Sequence, residues 1–70
     1  MHKYEIILYW SREDQCYIAE VPELSGCIAH GNTQQEALIQ ANEAVQLWLE
    51  TAQQFGESIP IPKERRLMLA

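Results

Sequence analysis

Seventy residues are enough for one domain, and a domain of this size buries only about 60% of the surface of its unfolded chain. Such a fold is marginal by itself, so we expect a partner or self-association. A hydrophobic content of 47% excludes a disordered chain, and no apolar run approaches the about 20 residues of a membrane span. The net charge of −5 argues against nucleic-acid binding and favours either a basic protein partner or simple solubility.

The charges are unevenly distributed along the chain. Residues 1–62 hold nine of the ten acidic residues but only two of the five lysines and arginines. The other three basic residues lie in residues 63–70, a patch too small to predict binding to DNA. The N-terminus lacks the apolar core of a signal peptide, so we expect a cytoplasmic protein.

Three strands are predicted in the first half of the chain. Residues 4–10 predict a strand with two largely apolar sides, so it is either central or covered on one side by something besides the helix. Residues 11–15 are polar and short enough for a hairpin connection to a second strand over 16–21. Pro22 ends that pairing because it has no N–H to donate, and a turn leads to a short third strand over 27–30.

The longest predicted element is an amphipathic helix over residues 33–55, which begins at a capping box. Thr33 is expected to accept a hydrogen bond from the Glu36 N–H, while the Glu36 carboxylate accepts one from the Thr33 N–H. Gly56 is placed to take the left-handed conformation that ends a helix. The apolar side chains recur every three or four residues and form one alanine-rich face suited to packing on a sheet. That face comprises Ala37, Leu38, Ala41, Ala44, Val45, Trp48, Leu49, Ala52 and Phe55.

The end of the chain predicts an extended connector and one more strand. Residues 57–62 contain two prolines, each of which disfavours helix at its own position and at the residue before it. The tail Leu67-Met68-Leu69-Ala70 is apolar, and residues 66–69 are expected to form a short fourth strand parallel to the first, or else to contact another chain. The sequence therefore predicts one two-layer α+β domain over residues 1–70, with the order β-β-β-α-β.

The two cysteines do not predict a reactive site. Cys16 and Cys27 lack the spacing of a metal site or a disulfide framework, so both are expected to be small buried side chains. Cys27 and His30 are three residues apart on a strand and therefore face opposite sides, which is wrong for a nucleophile and its base.

Four carboxylates would have to converge to bind two metal ions, and their positions argue against it. The four are Glu13, Asp14, Glu20 and Glu23. Two lie in the predicted hairpin loop and one near a proline turn, so we expect them to be solvated or to face a partner. Gly31-Asn32-Thr33 resembles an anion site but lacks a glycine-rich loop and a following lysine, so capping explains it. We expect no cofactor, no metal and no enzymatic activity.

Two apolar residues, Ile39 and Leu47, lie on the polar side of the predicted helix. Scattered exposed aliphatic side chains are normal in soluble proteins. Because the domain is small, a second contact surface is the alternative hypothesis for this pair.

An ordered series of short motifs resembles the HicB-type antitoxin family. The series covers about residues 4–62 and is specific as a set, although each motif alone is weak. It comprises Tyr17-Ile18-Ala19-Glu20-Val21-Pro22-Glu23-Leu24-Ser25-Gly26-Cys27, Gly31-Asn32-Thr33-Gln34-Gln35-Glu36-Ala37, Asn42-Glu43-Ala44, Trp48-Leu49-Glu50 and Ile59-Pro60-Ile61-Pro62.

The resemblance implies a fold similar to a partial ribonuclease H without the catalytic carboxylates, and a role in a toxin–antitoxin pair. Such antitoxins bind a small basic toxin, a HicA-like ribonuclease that cleaves mRNA, and cover its catalytic histidine. They also form homo-oligomers, here expected to be dimers or tetramers. The motifs themselves look structural, with Gly26 and Gly31 as backbone positions, Trp48 in helix–sheet packing, and Thr33 and Glu36 at the cap.

The resemblance fixes no interface residues and does not extend to DNA binding. Fuller members of the family carry a C-terminal DNA-binding domain, for which this sequence has no room, so direct DNA binding is not expected. The residues nominated for the toxin interface, because they are acidic and expected to be exposed, are Glu13, Asp14, Glu20 and Glu23. The predicted function is neutralisation of a small basic toxin; the alternative is an oligomeric adaptor or ligand-binding module without a toxin.

Overall fold

The computed structural model describes residues 2–63, which form a three-stranded antiparallel sheet with one helix packed on it. The strands are β1 (Ile7–Ser11), β2 (Cys16–Glu20) and β3 (Ile28–Gly31), and the helix is α1 (Gln34–Gln54). The predicted α+β class is confirmed, with strand ends shifted by up to three residues. Within residues 2–63, α1 lacks the continuous apolar stretch that a membrane-spanning helix requires.

The central strand of the described sheet is β2, since the strand order is β1-β2-β3. Among residues 2–63, β1 therefore lies at an edge of the sheet, and of the two alternatives for the first strand the central position is not seen there. The predicted fourth strand over residues 66–69 lies outside that part. The likeness to a partial ribonuclease H, which needs that strand, stays a prediction.

The helix packs closely on β2 and β3 because the side chains between them are small. Ala19 of the sheet meets Ala37 and Ala41 of the helix, and all three are completely buried. The helix contacts β1 much less, so Leu8 and Trp10 on the same side of the sheet remain 36% and 49% exposed. Small side chains thus bring the helix down on one half of the sheet and leave β1 largely uncovered.

A second apolar cluster lies at the end of the sheet, beneath the loop between β2 and β3. Its buried members are Tyr4, Val21, Leu24, Cys27 and Val45. The loop is folded onto this cluster by its own backbone, because the Leu24 N–H donates to the Val21 carbonyl and the Cys27 N–H donates to the Leu24 carbonyl. The expected core positions Val21 and Leu24 are confirmed, each 1% exposed.

The helix begins at Thr33, as predicted, but only half of the capping box forms. The Thr33 hydroxyl oxygen accepts from the Glu36 N–H at 3.0 Å. The reciprocal hydrogen bond from the Thr33 N–H to the Glu36 carboxylate is not formed within residues 2–63, so that part of the prediction is wrong. The Thr33 hydroxyl alone therefore caps the helix, and the Glu36 carboxylate is available for other contacts.

The helix ends at Phe55 in a glycine-dependent cap. Gly56 has a φ of +66°, and the Glu57 N–H donates to the Ala52 carbonyl at 2.8 Å, which is the hydrogen bond of a Schellman motif. The predicted left-handed Gly56 is confirmed. Two members of the predicted apolar face are nevertheless exposed, namely Leu38 at 41% and Phe55 at 70%.

The predicted connector over residues 57–62 is confirmed as non-helical and returns beside the start of β1 and the end of β2. The Tyr4 hydroxyl donates to the Pro60 carbonyl, and the Lys63 N–H donates to Glu23 Oε1 at 3.0 Å. These two hydrogen bonds attach the connector to the body of the domain.

Candidate protein interface

The described residues leave one face of the sheet, the side opposite the helix, uncovered. Because side chains alternate along a strand, this open face consists of Ile7, Tyr9, Ser11, Cys16, Ile18, Glu20, Ile28 and His30. Strand register arranges them in rows across the sheet. One row runs Ile7, Glu20, Ile28, and the next runs Tyr9, Ile18, His30.

Large apolar side chains dominate the open face. Ile28 is 54% exposed, Ile7 is 42% exposed and Tyr9 is 41% exposed, whereas Ile18 between them is only 8% exposed. Several large apolar side chains exposed on one face of a sheet are costly in water and are typical of a site of protein contact. The open face is therefore the candidate interface of this domain.

A carboxylate lies within this apolar surface and is held by a neighbouring side chain. The Tyr9 hydroxyl donates to Glu20 Oε1 at 3.2 Å across the β1–β2 pair. Partial burial, and then the negative charge of Glu20, raise the pKa of the Tyr9 hydroxyl above its ordinary value of 10.0. Tyr9 therefore stays protonated at physiological pH and orients the Glu20 carboxylate on the open face.

The open face contains a shallow cavity of about 400 Å³ near the hairpin end of the sheet. Ile18 and Ile28 form its apolar part, and Asp14 and His30 supply polar groups. The cavity is shallow and open to solvent, so it accommodates an apolar or basic side chain of a partner better than it encloses a small substrate.

The four nominated carboxylates do not converge. Glu13 and Asp14 lie in the hairpin turn, where the Ser11 hydroxyl donates to Asp14 Oδ2 at 2.9 Å. Glu20 lies at the opposite end of β2, on the open face. Glu23 lies in the following loop, where one oxygen accepts from the Lys63 N–H and the other is buried without a hydrogen-bond partner among the described residues. The acidic groups therefore surround the domain rather than forming one site.

The structure separates the only cysteine and histidine that the sequence placed close together. Cys27 is buried in the core cluster, and burial raises the pKa of its thiol. His30 is exposed on the open face. Within residues 2–63, no group of three or more histidine, cysteine or acidic side chains is placed to hold a metal ion.

Comparison with known proteins identifies the family. The model of the HicB-like antitoxins of bacterial toxin–antitoxin systems matches residues 4–68. This chain belongs to the HicB-like antitoxin family. It is 40% identical over 58 residues to UPF0150 protein Ta0767 of Thermoplasma acidophilum, covering 83% of each chain. It is also 40% identical over 57 residues to UPF0150 protein ssl0259 of Synechocystis sp., covering 81% of this chain and 77% of the relative. No solved structure gives a significant match.

In this HicB-like domain, backbone geometry explains why two positions of the family motifs are glycine. A Cβ at Gly31 would lie 2.4 Å from the Ala37 backbone nitrogen, so only glycine allows the helix to begin this close to β3. Gly26 has a φ of +74° in the loop between β2 and β3, a conformation that side chains disfavour. The motifs therefore maintain the scaffold and do not themselves define the interface.

Trp48 has the packing role expected of it and one further contact. Its ring packs against the core cluster, and its indole N–H donates to the Ser25 carbonyl at 2.8 Å. This hydrogen bond connects the loop between β2 and β3 to the C-terminal half of α1 in this HicB-like domain. No motif or spacing in the sequence predicts the Ser25 contact.

The interface residues predicted from the sequence are all acidic, and they do not include the apolar residues of the open face. The first strand did carry a signal for Ile7 and Tyr9, because both of its sides are apolar. Ile18 and Ile28 could be placed on this face only once the pairing of β2 with β3 was known. The sequence-based choice of exposed acids therefore missed the apolar part of the candidate interface.

Proposed function

We propose that this chain is the antitoxin of a small basic toxin, an mRNA-cleaving ribonuclease of the HicA-like kind, and that it binds the toxin through the open face. The observation that supports the proposal most strongly is the uncovered apolar sheet face with the Glu20 carboxylate within it. Membership of the HicB-like antitoxin family supplies the class of function.

Apolar and acidic groups have separate parts in this proposal. Ile7, Tyr9 and Ile28 provide the surface whose burial stabilises the complex, at about 25 cal/mol for each Å² removed from water. The carboxylates around the domain attract a basic partner and speed its association. A net charge of −5 also opposes the binding of RNA to the antitoxin itself.

Neutralisation by this route requires no catalytic group in the antitoxin. A domain bound over the toxin's active site excludes the RNA backbone, and acidic side chains occupy the basic surface that would otherwise contact phosphates. We also propose that the chain forms a homo-oligomer, since its core is small. Light scattering of the purified chain measures that state.

The proposal is tested by using the chain as bait in its native host, at low and at high salt. We expect one small basic protein to be recovered, and the Ile28→Lys variant to lose it. The matched control is Ile39→Lys on the helix, because Ile39 is 51% exposed and Ile28 is 54% exposed. Survival of the complex at high salt indicates an apolar contact, and dissociation indicates that charge dominates.

Two results would contradict the proposal. Recovery of the bait alone, as a defined oligomer, would favour the adaptor function without a toxin. Equal loss of the basic protein in the Ile28→Lys and Ile39→Lys variants would place the contact elsewhere than the open face.

A further inference from the structure

A groove of about 510 Å³ runs between the outer edge of β3 and the helix. Ile28, Ala29 and His30 form its strand side. The helix side is formed by residues spaced three or four apart, which therefore line up along one face. These residues are Glu36, Gln40, Glu43, Ala44 and Leu47.

The strand side of the groove presents backbone groups that β2 does not use. The Val21 N–H donates to the Cys27 carbonyl, and hydrogen-bonded pairs alternate along an antiparallel ladder. Ala29 is therefore directed toward β2, while the N–H and carbonyl groups of Ile28 and His30 are directed outward. No strand among residues 2–63 pairs with this edge.

The helix side of the groove supplies charge and an apolar contact. Glu36 and Glu43 line it, and no lysine or arginine of the described residues does. The Glu36 carboxylate is available because it does not complete the capping box. Leu47 is 65% exposed, which makes it a second apolar contact beside Ile28.

We propose that this groove binds an extended basic segment of a protein partner, which adds as a strand to the outer edge of β3. Backbone hydrogen bonds from Ile28 and His30 give affinity, and the carboxylates select lysine or arginine side chains on the added strand. A second copy of this chain is a poorer occupant, because a symmetric pairing of the two edges would bring Glu36 and Glu43 of both copies together.

The groove adjoins the open face, because Ile28 and His30 line both. This inference rests on the proposed function, because we expect the basic segment to be part of the toxin. A toxin bound over β3 would then contact the open face with one part and the groove with another. A synthetic peptide tests the groove separately from the toxin. If the peptide does not bind, the chain can still capture a toxin, and if no toxin is captured, the peptide can still bind.

The test uses a synthetic peptide of about ten residues that alternates lysine and valine, and a control peptide that alternates glutamate and valine. Amide hydrogen exchange of the isotope-labelled chain is followed by NMR with each peptide. We expect the lysine peptide to slow exchange at Ile28 and His30 by about tenfold or more, and the glutamate peptide to have no effect.

The contribution of the carboxylates is measured with two double variants of equal charge change. Glu36→Gln with Glu43→Gln is expected to weaken binding of the lysine peptide about fivefold. Glu50→Gln with Glu57→Gln, which lie outside the groove, is expected to leave the affinity nearly unchanged.

Three outcomes would overturn the inference. The first is slowed exchange at β1 or elsewhere without a change at Ile28 and His30. The second is equal loss of affinity in the two double variants. The third is slow exchange of the Ile28 and His30 amides in the chain alone, which would mean that another copy or another part of the chain already pairs with this edge.

Discussion

At the scale of single residues, Gly31 is where the sheet and the helix approach most closely. A Cβ at this position would lie 2.4 Å from the Ala37 nitrogen and 2.8 Å from the Glu36 carbonyl carbon, both backbone atoms that cannot move alone. We predict that Gly31→Ala lowers the free energy of unfolding by at least about 2 kcal/mol, because the helix must shift away from β3. Urea unfolding followed by circular dichroism measures this difference.

Gly26 provides the control for this prediction. Its φ of +74° makes a side chain unfavourable, but no atom lies within 4 Å of a Cβ placed there. Gly26→Ala should therefore cost only about 1 kcal/mol, from backbone strain alone. Wild-type stability of Gly31→Ala would contradict the close packing of β3 on the helix.

The two cysteines differ in how far water reaches them. Cys27 is 6% exposed and burial raises the pKa of its thiol, so little thiolate is present at neutral pH, whereas Cys16 is partly exposed. We predict that iodoacetamide alkylates Cys27 at least about tenfold more slowly than Cys16 in the folded chain. Mass spectrometry of the modified peptides gives both rates. The rates should become equal in denaturing urea, and equal rates without urea would show that Cys27 is accessible.

At the scale of elements, the helix start depends on one side-chain hydrogen bond. The Thr33 hydroxyl accepts from the Glu36 N–H, so Thr33→Ala should lower the free energy of unfolding by about 1 kcal/mol and Thr33→Ser should retain it. Glu36→Gln should cost less, since its carboxylate makes no capping hydrogen bond among the described residues. Thermal unfolding compares the three variants, and a larger loss for Glu36→Gln than for Thr33→Ala would show a complete capping box.

The helix and the strands differ in how well they can be predicted from the sequence. The helix is predictable to within one residue at each end because its signals, Thr33, Gly56 and the apolar spacing, are local. The position of β1 in the sheet is not predictable in this way. An apolar strand with two apolar sides has the same pattern whether it is central or uncovered, and only the placement of the helix on β2 and β3 distinguishes them.

At the scale of the whole molecule, the sequence predicted the family and the acidic surface but not the arrangement of the candidate interface. The nominated acids lie at opposite ends of the sheet, because hairpin and loop positions separate Asp14 from Glu23. The apolar open face and the groove both depend on strand register, and register places Ile28 and His30 at the junction of the two surfaces. Composition and charge could not supply that information.

The most direct measurement is RNA cleavage by the captured basic protein, with increasing amounts of this chain added. We expect cleavage to fall to background when the chain becomes stoichiometric with the toxin. The Ile28→Lys variant should require about tenfold more protein, and the Ile39→Lys variant should match the wild type. Undiminished cleavage in excess wild-type chain would contradict the antitoxin function.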